Sequence, residues 1–294
     1  MPSLPYVLLG AAIISMWLPG RASRAWLPLL GVSLVGAVVG QEVTWTGLTY
    51  LGLLTVCLYA TERWLVRNRE TWGLEAMALA RGGAFAGAVV LAVGIGTGVI
   101  PGCSRLVIYK GVVLSPGAFP YTLALNFGIA VIGLLIIGLG RHKAPAAREW
   151  GALLRRTLPY AAATVAAVIV VAMLIGYTRP APKWPPMLGL WLAANLLFTC
   201  VAEEAFFRGF IQRHLTDWLS KLKGGTLIAW LVASVAFGVA HVAGGGGYVL
   251  LATIAGLGYG LVYMKTARLE AAIVTHFALD TVHMLLFAYP RLAV

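Results

Sequence analysis

Residues 187–211 read "MLGLWLAANLLFTCVAEEAFFRGFI", which places Glu203, Glu204 and Arg208 inside an otherwise apolar run. A charged side chain at the centre of a membrane helix costs about 3 kcal/mol on insertion scales, so three together need a reason. The rest of the chain makes a bilayer the relevant solvent. It is 60% hydrophobic and 11% charged, with a mean hydropathy of +0.88, whereas soluble domains average about 25% charged residues. About ten apolar stretches succeed one another, at 5–19, 26–40, 46–61, 82–100, 119–140, 158–177, 187–213, 226–243, 248–265 and 270–288. The first three are shorter than the ~20 residues that span a bilayer. No alternation of the barrel type appears. The expected fold is all-α, a polytopic membrane helix bundle of about ten transmembrane helices.

The net charge of +12 is organised by topology. With the N-terminus outside, alternate loops collect 17 of the 22 basic residues on one side, among them Arg63, Arg67, Arg69, Arg81, Arg141, Lys143, Arg148, Arg155 and Arg156. The opposite side holds Arg105, Lys110, Arg179, Lys183 and Arg291. This is the positive-inside pattern. It places both termini externally and excludes a nucleic-acid site as the meaning of the charge. The charged stretch 141–158 separates N-terminal helices (1–150) from C-terminal helices (151–294). The N-terminus lacks the basic region of a signal peptide. Cys57, Cys103 and Cys200 show neither zinc nor disulfide spacing, and Cys103, in an external loop, reads as a bystander thiol. Trp26, Trp64, Trp150, Trp184 and Trp218 fall near helix ends, where an interfacial belt is expected. Sixteen Arg against six Lys, with abundant Ala and Gly, fit a GC-rich bacterial source and hence an inner membrane.

The embedded ionisable groups all fall between 203 and 283: Glu203, Glu204, Arg208, His241, His276, Asp280 and His283. The other acids, and His142 and His214, belong to loop, helix-end or interfacial sequence. Glu204 and Arg208 are four residues apart and share a helix face, while Glu203 lies about 100° around the helix. His276 and Asp280 repeat the four-residue spacing, and His241 ends a helix before "GGGG" at 244–247. Counting ~1.5 Å per residue from the basic ends, the three helices bring these groups to compatible depths. Carboxylates and imidazoles in apolar surroundings can activate water, because burial raises a carboxyl pKa towards the range of general acid–base work. Alternatively, Glu203, His241 and His276 form a three-ligand zinc set with an open position. The same residues can also simply cross-link helices. HExxH, GxGD and GxSG are all absent.

Three motifs, "EEAFFR" at 203–208, "FGVAH" at 237–241 and "HFALD" at 276–280, resemble the CAAX prenyl-protease family and its bacterial relatives, the CPBP or ABI family. That family carries EExxxR, FxxxH and HxxxN or HxxxD on successive helices of an eight-helix core. The resemblance covers roughly residues 187–288, and the first helices look like an addition. It implies that Glu203 and His241 orient and deprotonate water, and that His276 and Asp280 stabilise the oxyanion. It gives Glu204, Arg208 and Phe237 a supporting role. Family members acting on prenylated substrates carry Asn where this chain has Asp280. Asp280 would donate a hydrogen bond only if protonated, and otherwise would orient His276. No family motif covers His283, for which a structural hydrogen bond is expected. The implied activity is cleavage of a membrane-associated protein or peptide near its C-terminus, with no cofactor. The alternatives are a zinc-dependent membrane protease, a non-catalytic bacteriocin-immunity or scaffold protein, and a transporter or proton relay.

Overall fold

The computed structural model describes residues 4–64, 74–140 and 142–293. Arg67, Arg69 and Arg141 of the charge pattern lie outside the described residues, and so does the side chain of Trp64. Among the described residues ten helices run in chain order: α1 (Leu4–Ser15), α2 (Trp26–Val39), α3 (Trp45–Tyr59), α4 (Leu74–Thr97), α5 (Phe127–Leu139) and α6 (Trp150–Leu174). They are followed by α7 (Leu188–Trp218) and then α8 (Gly225–Ala240), α9 (Gly246–Thr266) and α10 (Leu269–Leu286). Six helical segments are long and apolar enough to cross a membrane, and α1, α5 and α8 are shorter apolar helices. A 3₁₀ turn at Gly20–Ala25 leads into α2 and extends it to a 20-residue span.

One apolar stretch divides differently from expectation. Residues 119–140 are not one helix: β1 (Arg105–Val112) and β2 (Tyr121–Asn126) pair in a two-stranded sheet, and α5 begins only at Phe127. Pro120 disfavours helix at the residue before it. The Asn126 side chain accepts from the Ile129 N–H at 3.1 Å and fixes the helix start. Strand β1, "RLVIYKGV", has the β-branched and aromatic content of a strand. Three acids assigned to loops and helix ends, Glu42, Glu62 and Glu270, are buried. His214 is buried as well, with its Nδ1–H donating to the Phe210 carbonyl at 2.9 Å and its ring between Phe210 and Trp218.

The chain forms two compact units. One lies within Met1–Leu106, Ala124–Ala144 and Leu197–Glu203, the other within Val107–Leu123, Pro145–Leu196 and Glu204–Val294. In the first, α5 is apolar and buried on nearly every side, as a core helix should be. Tyr6 of α1 meets Phe127 edge-to-face at 5.4 Å, and the Ser33 hydroxyl of α2 donates to the Pro5 carbonyl at 2.7 Å. Arg63 caps α5 by donating from Nε to the Leu139 carbonyl at 2.7 Å. Gly133 permits contact with the backbone of Ala202, since a Cβ there would stand 2.5 Å from that residue's Cα. Burial pushes the Cys103 thiol up to about 11, so it stays protonated and unreactive at neutral pH.

In the second unit α9 lies against α6, α8 and α10. Three segments braid over the C-terminal end of α10. The N–H groups of Ala181 and Lys183 donate to the carbonyls of Leu286 and Leu285, and those of Ala288 and Leu292 donate to Arg179 and Tyr177. Phe119 and Ala293 exchange bonds with Arg291 and Gly117 in the same way. The half-buried Lys183 amine donates to the Phe287 carbonyl. Burial lowers its pKa to about 8, against about 10.4 for an ordinary lysine.

Two expectations follow from this packing. Gly133→Val should cost ~1–3 kcal/mol through overpacking, read as a lower melting temperature of the detergent-purified protein. Gly151→Ala, whose Cβ meets nothing within 4 Å, should leave the melt unmoved. For Lys183, whose pKa is depressed on folding, the charged form is penalised below pH 8, and that penalty fades as the pH rises towards about 10.4. Wild type should therefore gain stability relative to Lys183→Met between those pH values. Parallel melting curves across that range would contradict the assignment.

Candidate active site

Helix α7 is not regular where the charged residues lie. Its turns widen to π-helical geometry at Asn195–Cys200 and Ala205–Gln212, with one regular turn, Val201–Glu204, between them. Such turns inside α-helices frequently mark functional sites, because they re-aim side chains. Glu204 and Arg208 are both fully buried. Glu204 Oε1 accepts from Arg208 Nη1 at 3.1 Å and from His276 Nδ1 at 2.9 Å. Arg208 Nη2 donates to the Gly256 carbonyl of α9 at 2.9 Å. A side chain at 256 would crowd this contact, since a Cβ would lie 3.0 Å from the Ser234 carbonyl oxygen and 3.4 Å from Arg208 Nη2.

The guanidinium sits 4.7 Å from the Phe237 ring centroid and 5.2 Å from that of Tyr259, within cation–π range. Phe237 is the aromatic hub of the unit, with Phe207 at 5.0 Å, His241 at 4.7 Å, Tyr259 at 5.7 Å and His276 at 5.8 Å. Tyr259 stacks on the His276 ring at 4.6 Å and 17°. The three motif helices are thus brought together around one phenylalanine.

The two histidines are held in different ways. His241 caps α8, and its Nδ1–H donates to the Phe237 carbonyl at 2.7 Å. In the neutral ring this leaves Nε2 as the lone-pair nitrogen. His276 has carboxylate oxygens at both ends, Glu204 Oε1 on Nδ1 and Asp280 Oδ2 at 3.4 Å from Nε2. A doubly protonated ring satisfies both. With Arg208 it balances the two carboxylates, as buried charges require.

Asp280 accepts from Asn195 Nδ2 at 3.0 Å and faces His276, the arrangement of an acceptor that orients the imidazole. His283 lies one helical turn further on. Its Nε2–H donates to the Ala288 carbonyl at 3.2 Å, and its ring meets Tyr289. Glu203 is half-buried and is the last residue of the first unit, whereas Glu204 opens the second. Of the residues that could hold a metal, His276 and Asp280 lie with Cys200 in a group whose ligand atoms are all within 4.8 Å of one another. Asn195 and Tyr259 belong to no motif, and sequence reasoning passed over both.

A cluster of carboxylate, guanidinium and imidazole groups, carried on α7 and α10, which are long and apolar enough to cross a bilayer, and at the end of the shorter apolar α8, defines an integral membrane protein with a buried polar site. Residues 184–282 match the family model of type II CAAX prenyl endopeptidase, Rce1-like. The matched segment, about a third of the chain, contains Glu203, Glu204, Arg208, His241, His276 and Asp280, and in it the chain is similar to a family of membrane proteases. No curated protein and no solved structure matches the chain.

The Glu204–Arg208 pair generates a stability prediction. Arg208→Met leaves a buried carboxylate short of its cation and should cost ~3–5 kcal/mol. Combining it with Glu204→Gln should recover part of that loss, since the two residues share one interaction. Strictly additive losses in melting experiments would show that the pair is not coupled.

Proposed function

We propose that the protein is an intramembrane endopeptidase of the glutamate type, cutting a membrane-associated protein or peptide near its C-terminus. The observation that carries this reading is the division of labour between two imidazoles packed on Phe237, within an endopeptidase-like segment. His241 Nδ1 faces a backbone carbonyl, and His276 has a carboxylate oxygen facing each ring nitrogen.

In this mechanism Glu203 and His241 hold a water molecule and take its proton as its oxygen attacks the scissile carbonyl carbon. The carbonyl oxygen becomes an oxyanion. The His276–Asp280 contact of 3.4 Å is longer than an ordinary N–H···O bond. The Nε2–H is therefore only loosely engaged by Asp280 and stays open to the oxyanion, where a charged donor in low dielectric is most effective. Collapse of the intermediate breaks the C–N bond, and the proton held by Glu203 and His241 passes to the leaving amine. Glu204 and Arg208 keep His276 in place throughout. No metal is required by this scheme.

The topology accompanying this reading puts the basic loops in the cytoplasm and both termini outside, in a bacterial inner membrane. The support is the 17 to 5 division of Lys and Arg.

The test is a comparison of C-terminal peptides from membranes holding wild type or Glu203→Gln at equal abundance. Wild type should generate trimmed C-termini that the variant produces ~100-fold more slowly or not at all, the scale of a lost general base. Chelators should leave the trimming unchanged, and their inhibition would favour the zinc enzyme. Identical peptide profiles, with biological function retained by Glu203→Gln, would favour an immunity or scaffold role.

A further inference from the structure

Asn195 is an amide in an apolar helix, and it is buried. A buried amide without a hydrogen bond is costly, and polar side chains within helices often bond back to their own preceding turn. Asn195 instead reaches across to α10, 85 positions away in sequence, and donates from Nδ2 to Asp280 Oδ2 at 3.0 Å. It is also the first residue of the π-helical turn Asn195–Cys200. The geometry of α7 is therefore irregular at the point where this side chain is aimed at the site.

The same oxygen, Asp280 Oδ2, faces His276 Nε2 at 3.4 Å. Two donors share one acceptor, and the amide holds the shorter contact. The Asp280 side chain is 30% exposed, so the hydrogen bonds it accepts help to fix its rotation. We propose that Asn195 is a positioning residue for the hydrolytic site, anchoring Asp280 Oδ2 so that His276 is oriented but not captured by the carboxylate. Without the amide, the carboxylate swings onto His276 Nε2, the contact shortens, and the N–H is no longer open to the oxyanion. The defect then appears in the chemical step rather than in substrate binding. This inference rests on the peptidase reading of the same site.

The experiment uses full-length wild type, Asn195→Leu, Asn195→Ala and Asn195→Leu/Asp280→Asn in detergent. The kinetic probe is a synthetic peptide spanning the C-terminus trimmed in the membrane comparison. Asn195→Leu should lower kcat roughly ten- to a hundredfold, the scale of a small misplacement in a catalytic site, with KM unchanged. Adding Asp280→Asn weakens the acceptor that captures His276, and should restore at least about fivefold of the lost rate.

A second readout needs no turnover. The Nε2–H proton of His276, assigned by its loss in His276→Gln, should move downfield in the NMR spectrum of Asn195→Leu as its bond to Asp280 shortens. Unchanged kcat in a folded variant overturns the proposal, and so does an unmoved His276 resonance. If neither Asn195 variant folds, the residue is structural and the proposal is wrong. If wild type cleaves nothing, the peptidase reading fails, and the NMR shift alone decides whether Asn195 governs the Asp280–His276 contact.

Discussion

A carboxylate buried beyond the reach of water has to be solvated by the protein. Glu204 is fully buried, and its Oε1 takes one donor from its own helix, Arg208, and one from α10, His276. Arg208 passes the constraint on, through Nη2 to the Gly256 carbonyl on α9 and through its face to Phe237 on α8. Four helices are thereby registered against one charge. In low dielectric each contact is stronger than it would be in water, and the loss of any one leaves a charge exposed to an apolar interior. A glycine at 256 belongs to the same constraint, because only a residue without a side chain leaves the guanidinium and the Ser234 carbonyl their room.

Helices α7 and α10 are fixed to each other at two points, Glu204 to His276 and Asn195 to Asp280. The spacing is nine residues on α7 and four on α10. Two uniformly regular helices do not pair such unequal intervals residue for residue, and the widened turns of α7 fall in and beside this interval. Beyond Asp280, α10 is held by the braid of the 177–183 loop and the C-terminal residues, whose backbone bonds replace those the helix end would otherwise lack. His283 contributes to the same closure through the Ala288 carbonyl. The C-terminal turns of α10 hold the preceding ones in place.

Much of this was legible in the sequence, for identifiable reasons. Glu204 and Arg208 share a face at four-residue spacing, as do His276 and Asp280, because both pairs lie on helices and helical neighbours are set by sequence distance alone. Phe237 could be singled out only through its place in a motif. Asn195 and Tyr259 carried no signal. A single Asn in "LAANLLF" and a Tyr in "GLGYGLVY" acquire meaning from helix-to-helix register, which the local pattern does not encode. The strand β1 did have a signal, the run Leu106–Tyr109 followed by a Ser-Pro-Gly turn at 115–117, but it was masked by the long apolar stretch that follows. His214 was read as interfacial because its sequence neighbours are charged, whereas its ring packs between aromatic residues on its own helix.

The deeper economy of the site is that two chemically identical side chains are made different by what their Nδ1 atoms face. A backbone carbonyl, which does not itself ionise, accepts from His241 Nδ1. A carboxylate accepts from His276, with a second carboxylate beyond its other nitrogen, so the ring that satisfies both is a cation. Hydrolysis of an amide needs a proton acceptor where water enters and positive charge where the oxyanion forms. Here the distinction is drawn by neighbours rather than by residue type. It survives in a bilayer because Glu204 and Asp280 supply locally the countercharge that solvent supplies elsewhere. On the peptidase reading proposed above, the carboxylates lie among apolar residues because they would set which imidazole serves as base and which as acid.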